Sequence, residues 1–140
     1  MRRYLVVANQ TLAGGHLVST LRRLASQEPC RFFVLVPASA PTNHMWSEGE
    51  AREVATRRLA TALERFREFD PQVDGEVGDE HPLQAIQDVM DRGERFDGIV
   101  LSTLPPGISR WLRFDLVHRV EGAFDVPVIH VVGEREPASA

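Results

Sequence analysis

The chain contains no lysine; all 16 of its basic residues are arginine. That absence excludes a Walker-A phosphate loop, a Schiff-base enzyme, a Ser-Lys hydrolase and the lysine of protein kinases. Cysteine is nearly as scarce. The single Cys30 leaves no internal disulfide and no Cys-x-x-Cys chemistry. No apolar run approaches the ~20 residues of a membrane span, and Arg2-Arg3 leads directly into a short strand-like run. No signal peptide is therefore expected, and residence in the cytoplasm is. A net charge of −4 offers no general attraction to nucleic acid or to an anionic membrane. The five histidines (16, 44, 81, 118 and 130) share no ligand spacing such as His-x-x-x-His, so no metal site is expected.

What is present suits one soluble α/β domain: 140 residues, 43% of them hydrophobic and 26% charged. Residues 4–8 are β-rich and continuously apolar, the pattern of a strand buried on both faces; 31–36 reads as a second buried strand and 96–101 as the fourth. A weaker strand is expected near 72–77, and 127–132 closes the series. Helical stripes lie between them. Leu17, Leu21, Leu24 and Ala25 mark the first helix, and Val54, Ala55, Leu59, Ala62, Leu63, Phe66 and Phe69 mark the second. Leu83, Ile86, Val89 and Met90 mark the third; Leu112, Leu116, Val117, Val120 and Phe124 mark the fourth.

Local punctuation agrees with this division. Ser47-Glu48-Gly49-Glu50 has the form of a capping box. Pro82 suits a first helical position, and Gly93 suits a helix stop. Four β-α units closed by a strand predict a three-layer α/β/α fold with a five-stranded parallel sheet and right-handed crossovers. The domain spans 1–133, and 134–140 reads as a flexible polar tail.

In such a sheet a ligand sits outside the carboxyl ends of the strands, where strand order reverses. Strand one ends at Asn9 and strand four at Ser102-Thr103. If these strands are neighbours, Asn9, Thr11, Gly14, Gly15, Ser102, Thr103, Gly107 and Ser109 converge on one rim. Val36, at the end of strand two, is counted with them. Arg110 and Arg113 would supply positive charge. The Pro105-Pro106-Gly107 loop leads to a helix start with unpaired N–H groups, as a nucleotide or small anion needs. Each residue also has a plainer role, since Gly and Asn form turns and Ser and Thr cap helices. Gly107-Ile108-Ser109-Arg110-Trp111 begins like a nucleophile elbow but lacks its last glycine. Ser109 is thus expected as a helix cap, and no catalytic residue is expected. A phosphoacceptor receiver is excluded, because Asn9-Gln10 replaces its acidic residues and no late lysine exists.

The pattern resembles the universal stress protein family over nearly the whole chain. The matching pieces are Leu5-Val6-Val7-Ala8-Asn9, Gly78-Asp79 before the helix of Pro82 to Ile86, Phe96 to Leu101, and Val126 to Val132. The resemblance implies strand order 3-2-1-4-5 and a homodimer through the last strand, with Val128, His130, Val131 and Val132 at the interface. It also implies, for ATP-binding members, a nucleotide pocket at the ends of strands one and four. Those members carry Gly-x-x-Gly, about nine residues, then Gly-Ser/Thr. Here Pro105 stands near the first glycine and Gly107 near the second, while Asp115-Leu116 takes the Gly-Ser/Thr place. Asn9 replaces the aspartate usual after strand one. Pro105 has no N–H to donate, and a carboxylate at Asp115 would repel a triphosphate.

Three readings follow. The first is a binding or regulatory module that does not hold ATP in the usual way, with ATP or another nucleotide as its possible cofactor. The second is a nucleotide-binding stress protein with slow hydrolysis, needing a metal and Asp115 or Asp79. The third is a partner domain that acts through dimerisation alone.

Overall fold

The computed structural model describes residues 1–39, 47–104 and 114–133, without the side chains of residues 48, 114 and 115. Strands and helices alternate along it. In order they are β1 (Arg2–Val7), α1 (Gly15–Gln27), β2 (Cys30–Pro37), α2 (Glu48–Phe66), β3 (Asp74–Gly78), α3 (Pro82–Asp91), β4 (Gly98–Thr103), α4 (Phe114–Ala123) and β5 (Val128–Val132). The sheet has the order β3-β2-β1-β4-β5, and every pairing is parallel. The tail at 134–140 lies outside the described residues.

Two hydrophobic clusters fill the space on either side of the sheet. On one face Tyr4, Val6, Val34 and Val36 pack under α1 and α2, against Leu17, Leu21, Ala55, Leu59 and Phe66. On the other, Leu5, Val7, Ile99 and Leu101 pack under α3 and α4, against Ile86, Val89, Leu116 and Val120. This split is what right-handed crossovers produce when the chain starts in the middle of the sheet and reverses direction once. All six residues of β4 are buried, the apolar Ile99–Leu101 run and the two hydroxyl residues after it alike.

Local chemistry sets several boundaries. Ser47 Oγ accepts the Glu50 N–H at 3.1 Å, and the Glu50 side chain returns to the Ser47 N–H, so the capping box opens α2. Pro82 begins α3, and Gly93, with φ of 84°, lies just beyond its end. At Gly75 a Cβ would come within 2.4 Å of the Val34 carbonyl oxygen and 2.8 Å of Leu59 Cδ1. Only glycine lets β3 lie this close beneath α2.

Several strand boundaries differ from the sequence expectation, and β1 begins at Arg2 rather than at Tyr4. β3 begins at Asp74 rather than near 72, and β4 runs from Gly98 to Thr103 rather than from 96 to 101. Ser102 and Thr103 look like loop hydroxyls in isolation. They pair with Val131 and Val132 of β5, and this tertiary ladder holds them in the strand. Phe124 is buried as expected but lies past the end of α4.

Candidate functional site

After β1 the chain turns sharply, with Leu12 N–H donating to Asn9 O and Gly14 N–H to Thr11 O. Asn9 faces inward and is only 4% exposed. Its Nδ2 donates to the Pro37 carbonyl at 2.9 Å and lies 3.4 Å from that of Ser39, while its Oδ1 accepts Arg58 Nη1 at 2.7 Å. One amide thereby ties the ends of β1 and β2 to α2.

This arrangement needs an amide, because a carboxylate would present oxygen to two carbonyl oxygens. Asn9→Asp should therefore lower the unfolding free energy by about 1–3 kcal/mol. Urea denaturation at neutral pH measures this. A variant as stable as the parent would mean that the two carbonyls are not what selects asparagine.

The hydroxyls of the rim are also engaged. Thr11 Oγ1 and Ser102 Oγ share a hydrogen bond of 2.6 Å, and both residues are at most 2% exposed. Thr103 Oγ1 lies 2.8 Å from His130 Nε2. Gly133 closes over the same point, donating its N–H to Thr103 O at 2.7 Å. A Cβ on Gly133 would come 2.8 Å from Thr11 Cβ and 3.1 Å from Ser102 Oγ, so only glycine allows this approach.

The structure thus brings Asn9, Thr11, Ser102 and Thr103 to the carboxyl ends of β1 and β4. Gly14 and Gly15 form the cap and first residue of α1. Val36 is fully buried inside β2 and belongs to the core rather than the rim. Gly107, Ser109 and Arg110 lie outside the described residues, as do Pro105, Arg113 and the side chain of Asp115. Asp79 follows β3 at the far edge of the sheet, separated from β1 by β2. There it accepts the His81 N–H at 2.8 Å, and that bond holds its carboxyl below the ordinary range. Among the described residues no three His, Cys, Asp or Glu side chains gather closely enough to hold a metal.

Sequence reasoning missed the contribution of α2. Arg58 reaches Asn9, and Arg65 Nη1 donates to Ala13 O at 2.9 Å. With Leu12, Thr61 and Ala62 they line a narrow cleft of about 20 Å³, room for roughly one water. The signal was available: residues seven apart on a helix share a face, and this face is the one that carries Ala62 inward.

At the last strand, side chains alternate. Val131 is 8% exposed and packs in the core beside Val6 and Val100, whereas Val132 is 44% exposed. Ile99 N–H bonds Pro127 O and Gly133 N–H bonds Thr103 O, so odd-numbered residues turn their backbone groups toward β4. Those of Val128, His130 and Val132 consequently face the open edge. His16 Nδ1 lies 3.0 Å from the Val132 carbonyl oxygen. Partial burial pushes the His130 imidazole below its ordinary pKa, with Glu121 acting weakly in the opposite direction.

A doubly wound sheet that reverses at β1 and β4, with a polar rim at that point, defines a Rossmann-like α/β protein. Solved structures narrow the fold further. That of the universal stress protein from Archaeoglobus fulgidus is similar with a TM-score of 0.64 at 15% identity, covering 94% of this chain and 93% of that one. The universal stress protein UspA from Lactobacillus plantarum has a TM-score of 0.60 at 16% identity, covering 93% and 97%. A universal stress protein family protein from Arabidopsis thaliana, solved with AMP bound, has a TM-score of 0.60 at 14% identity, covering 96% and 93%. No family model and no curated protein matches the sequence. The chain has the universal stress protein fold, and at these identities the likeness concerns the fold alone.

Proposed function

We propose that this chain is a universal-stress-protein-like binding or regulatory module of the cytoplasm. In this reading it is not an efficient enzyme, does not hold ATP in the family's usual way, and forms a homodimer through β5. The observation that carries the reading is the closed floor of the rim. Thr11 and Ser102 satisfy each other, Thr103 is bonded to His130, and Asn9 holds two carbonyls and Arg58. A nucleotide placed on this floor would have to break those bonds before making its own, and an unmade buried hydrogen bond costs about 1–3 kcal/mol. Pro105 and Asp115 in the sequence act in the same direction.

The second reading, a nucleotide-binding stress protein with weak hydrolysis, draws support from the AMP bound in the Arabidopsis protein of the same fold. Calorimetry and thermal shift with ATP, ADP, AMP and cyclic dinucleotides, with and without Mg²⁺, separate the two. We expect no saturable response to ATP. A ligand present at a hundred times its dissociation constant would add about 2.7 kcal/mol of stability, which either method resolves. A response of that size to ATP would overturn the first reading in favour of the second. A response confined to a smaller nucleotide or anion would instead identify the module's ligand.

A further inference from the structure

The cleft between α2 and the β1–α1 turn carries chemistry that the closed floor of the rim does not use. Its lining includes Arg58, Thr61 and Arg65 and no acidic residue. Positions 58, 61 and 65 are three and four apart, so they share one face of α2. Both guanidinium groups are anchored there. Arg58 Nη1 donates to Asn9 Oδ1 at 2.7 Å, and Arg65 Nη1 donates to Ala13 O at 2.9 Å. Each of these bonds uses one of the five N–H donors of a guanidinium. A side chain already fixed by one bond loses less freedom when it takes a further acceptor.

Thr61 differs from the other helical threonines. Thr20 and Thr56 donate their hydroxyls to the carbonyls of His16 and Arg52, four residues earlier, at 2.9 and 2.8 Å. Thr61 makes no such bond to the Arg57 carbonyl, and it lines the cleft instead. The acidic residues beside Arg65 on α2 do not cancel the charge of the cleft. Glu68 is paired with Arg22 at 3.4 Å, and Glu64 is not part of the lining.

We infer that this cleft binds a phosphate-like oxyanion, held between Arg58 and Arg65 with the Thr61 hydroxyl between them. Its volume of about 20 Å³ admits one water-sized atom, so one oxygen enters and the others remain at the mouth. Guanidinium donors match the oxygen edges of such an anion, and two of them balance a dianion. A cation would meet two positive charges instead. Inorganic phosphate and the phosphate of a nucleotide share this chemistry. The inference rests on the binding-module reading above and names the class of its ligand.

Two-dimensional amide NMR of the full chain tests it, by titration with inorganic phosphate and separately with AMP at constant ionic strength. Residues 12–13 and 58–65 should shift along a saturable curve. Arg65→Gln should weaken that binding about tenfold, as loss of a charge-assisted hydrogen bond does, and Thr61→Val should weaken it less. Arg22→Gln removes the same charge from an ion pair outside the cleft and should leave the binding unchanged. A response to phosphate alone supports the site with the free anion as its ligand; an Arg65-dependent response to AMP supports it with a phosphomonoester. No saturable shift of these residues with either compound overturns the inference, while the module reading stands. Binding that ignores Arg65→Gln, or that falls equally with Arg22→Gln, also overturns it. AMP that saturates at Ser102 and Thr103 fails the proposed function itself, and is read at different residues.

Discussion

Replacing Phe66 by alanine should lower the unfolding free energy by about 3–5 kcal/mol, the largest effect expected of any single substitution considered. Phe66 is the largest of the fully buried side chains. It stacks on Phe69 at 5.7 Å; Phe69 meets Phe32 edge-on at 5.8 Å, and Phe32 stacks on Tyr4 at 5.9 Å. This row of rings fastens the C-terminal end of α2 to β1 and β2. Truncation removes both the buried area and the support of its neighbours. Phe66→Leu, which keeps most of the volume, should cost about 1.5 kcal/mol or less.

The consequence for the rim is specific. Arg65 adjoins Phe66 and donates to the Ala13 carbonyl, so a loosened α2 should loosen the β1–α1 turn. Guanidinium denaturation measures the first effect, and amide exchange at residues 9–14 measures the second. Equal losses for the alanine and leucine variants would show that packing volume is not the cause.

Asp70→Ala should cost about 2–4 kcal/mol for a different reason, the loss of buried acceptors. Asp70 is 2% exposed. Its Oδ2 accepts the Phe32 N–H at 2.8 Å and its Oδ1 the Gln72 N–H at 3.2 Å, which ties the exit of α2 to β2. The Arg31 Nε stands 3.7 Å away, too far for a hydrogen bond, so the two backbone amides dominate. Alanine leaves the Phe32 N–H buried and unpaired. Asp70→Asn keeps one acceptor oxygen and should fall between the parent and the alanine variant. An asparagine variant as unstable as the alanine one would point to charge, not acceptor count, as the important property.

The fold was legible because its signals are local. The apolar runs of β1, β2 and β4 and the stripes of the helices repeat at the periods of strand and helix, and alternation of the two admits few topologies. Ser47, Pro82 and Gly93 act on neighbours within a few residues, so their roles can also be read from the chain. The misplaced ends of β3 and β4 are where local preference is weak and pairing decides, as at Ser102 and Thr103.

The site was legible only as a location. Sequence places Asn9, Thr11, Ser102 and Thr103 at the ends of strands one and four, and they share one rim because those strands are neighbours, an adjacency the family resemblance implied and the sheet order shows. It does not show how those side chains spend their hydrogen bonds. Asn9 meets partners 28 and 49 residues away, and Thr11 meets Ser102 at a separation of 91. The sequence alone therefore determines the α/β class and the absence of lysine and disulfide chemistry, which depend on composition and local period, while the strand order came from the family resemblance. Tertiary structure alone decides that the polar rim is closed on itself and that Val132 rather than Val131 faces outward. Those outcomes depend on contacts between distant residues, which no local pattern encodes.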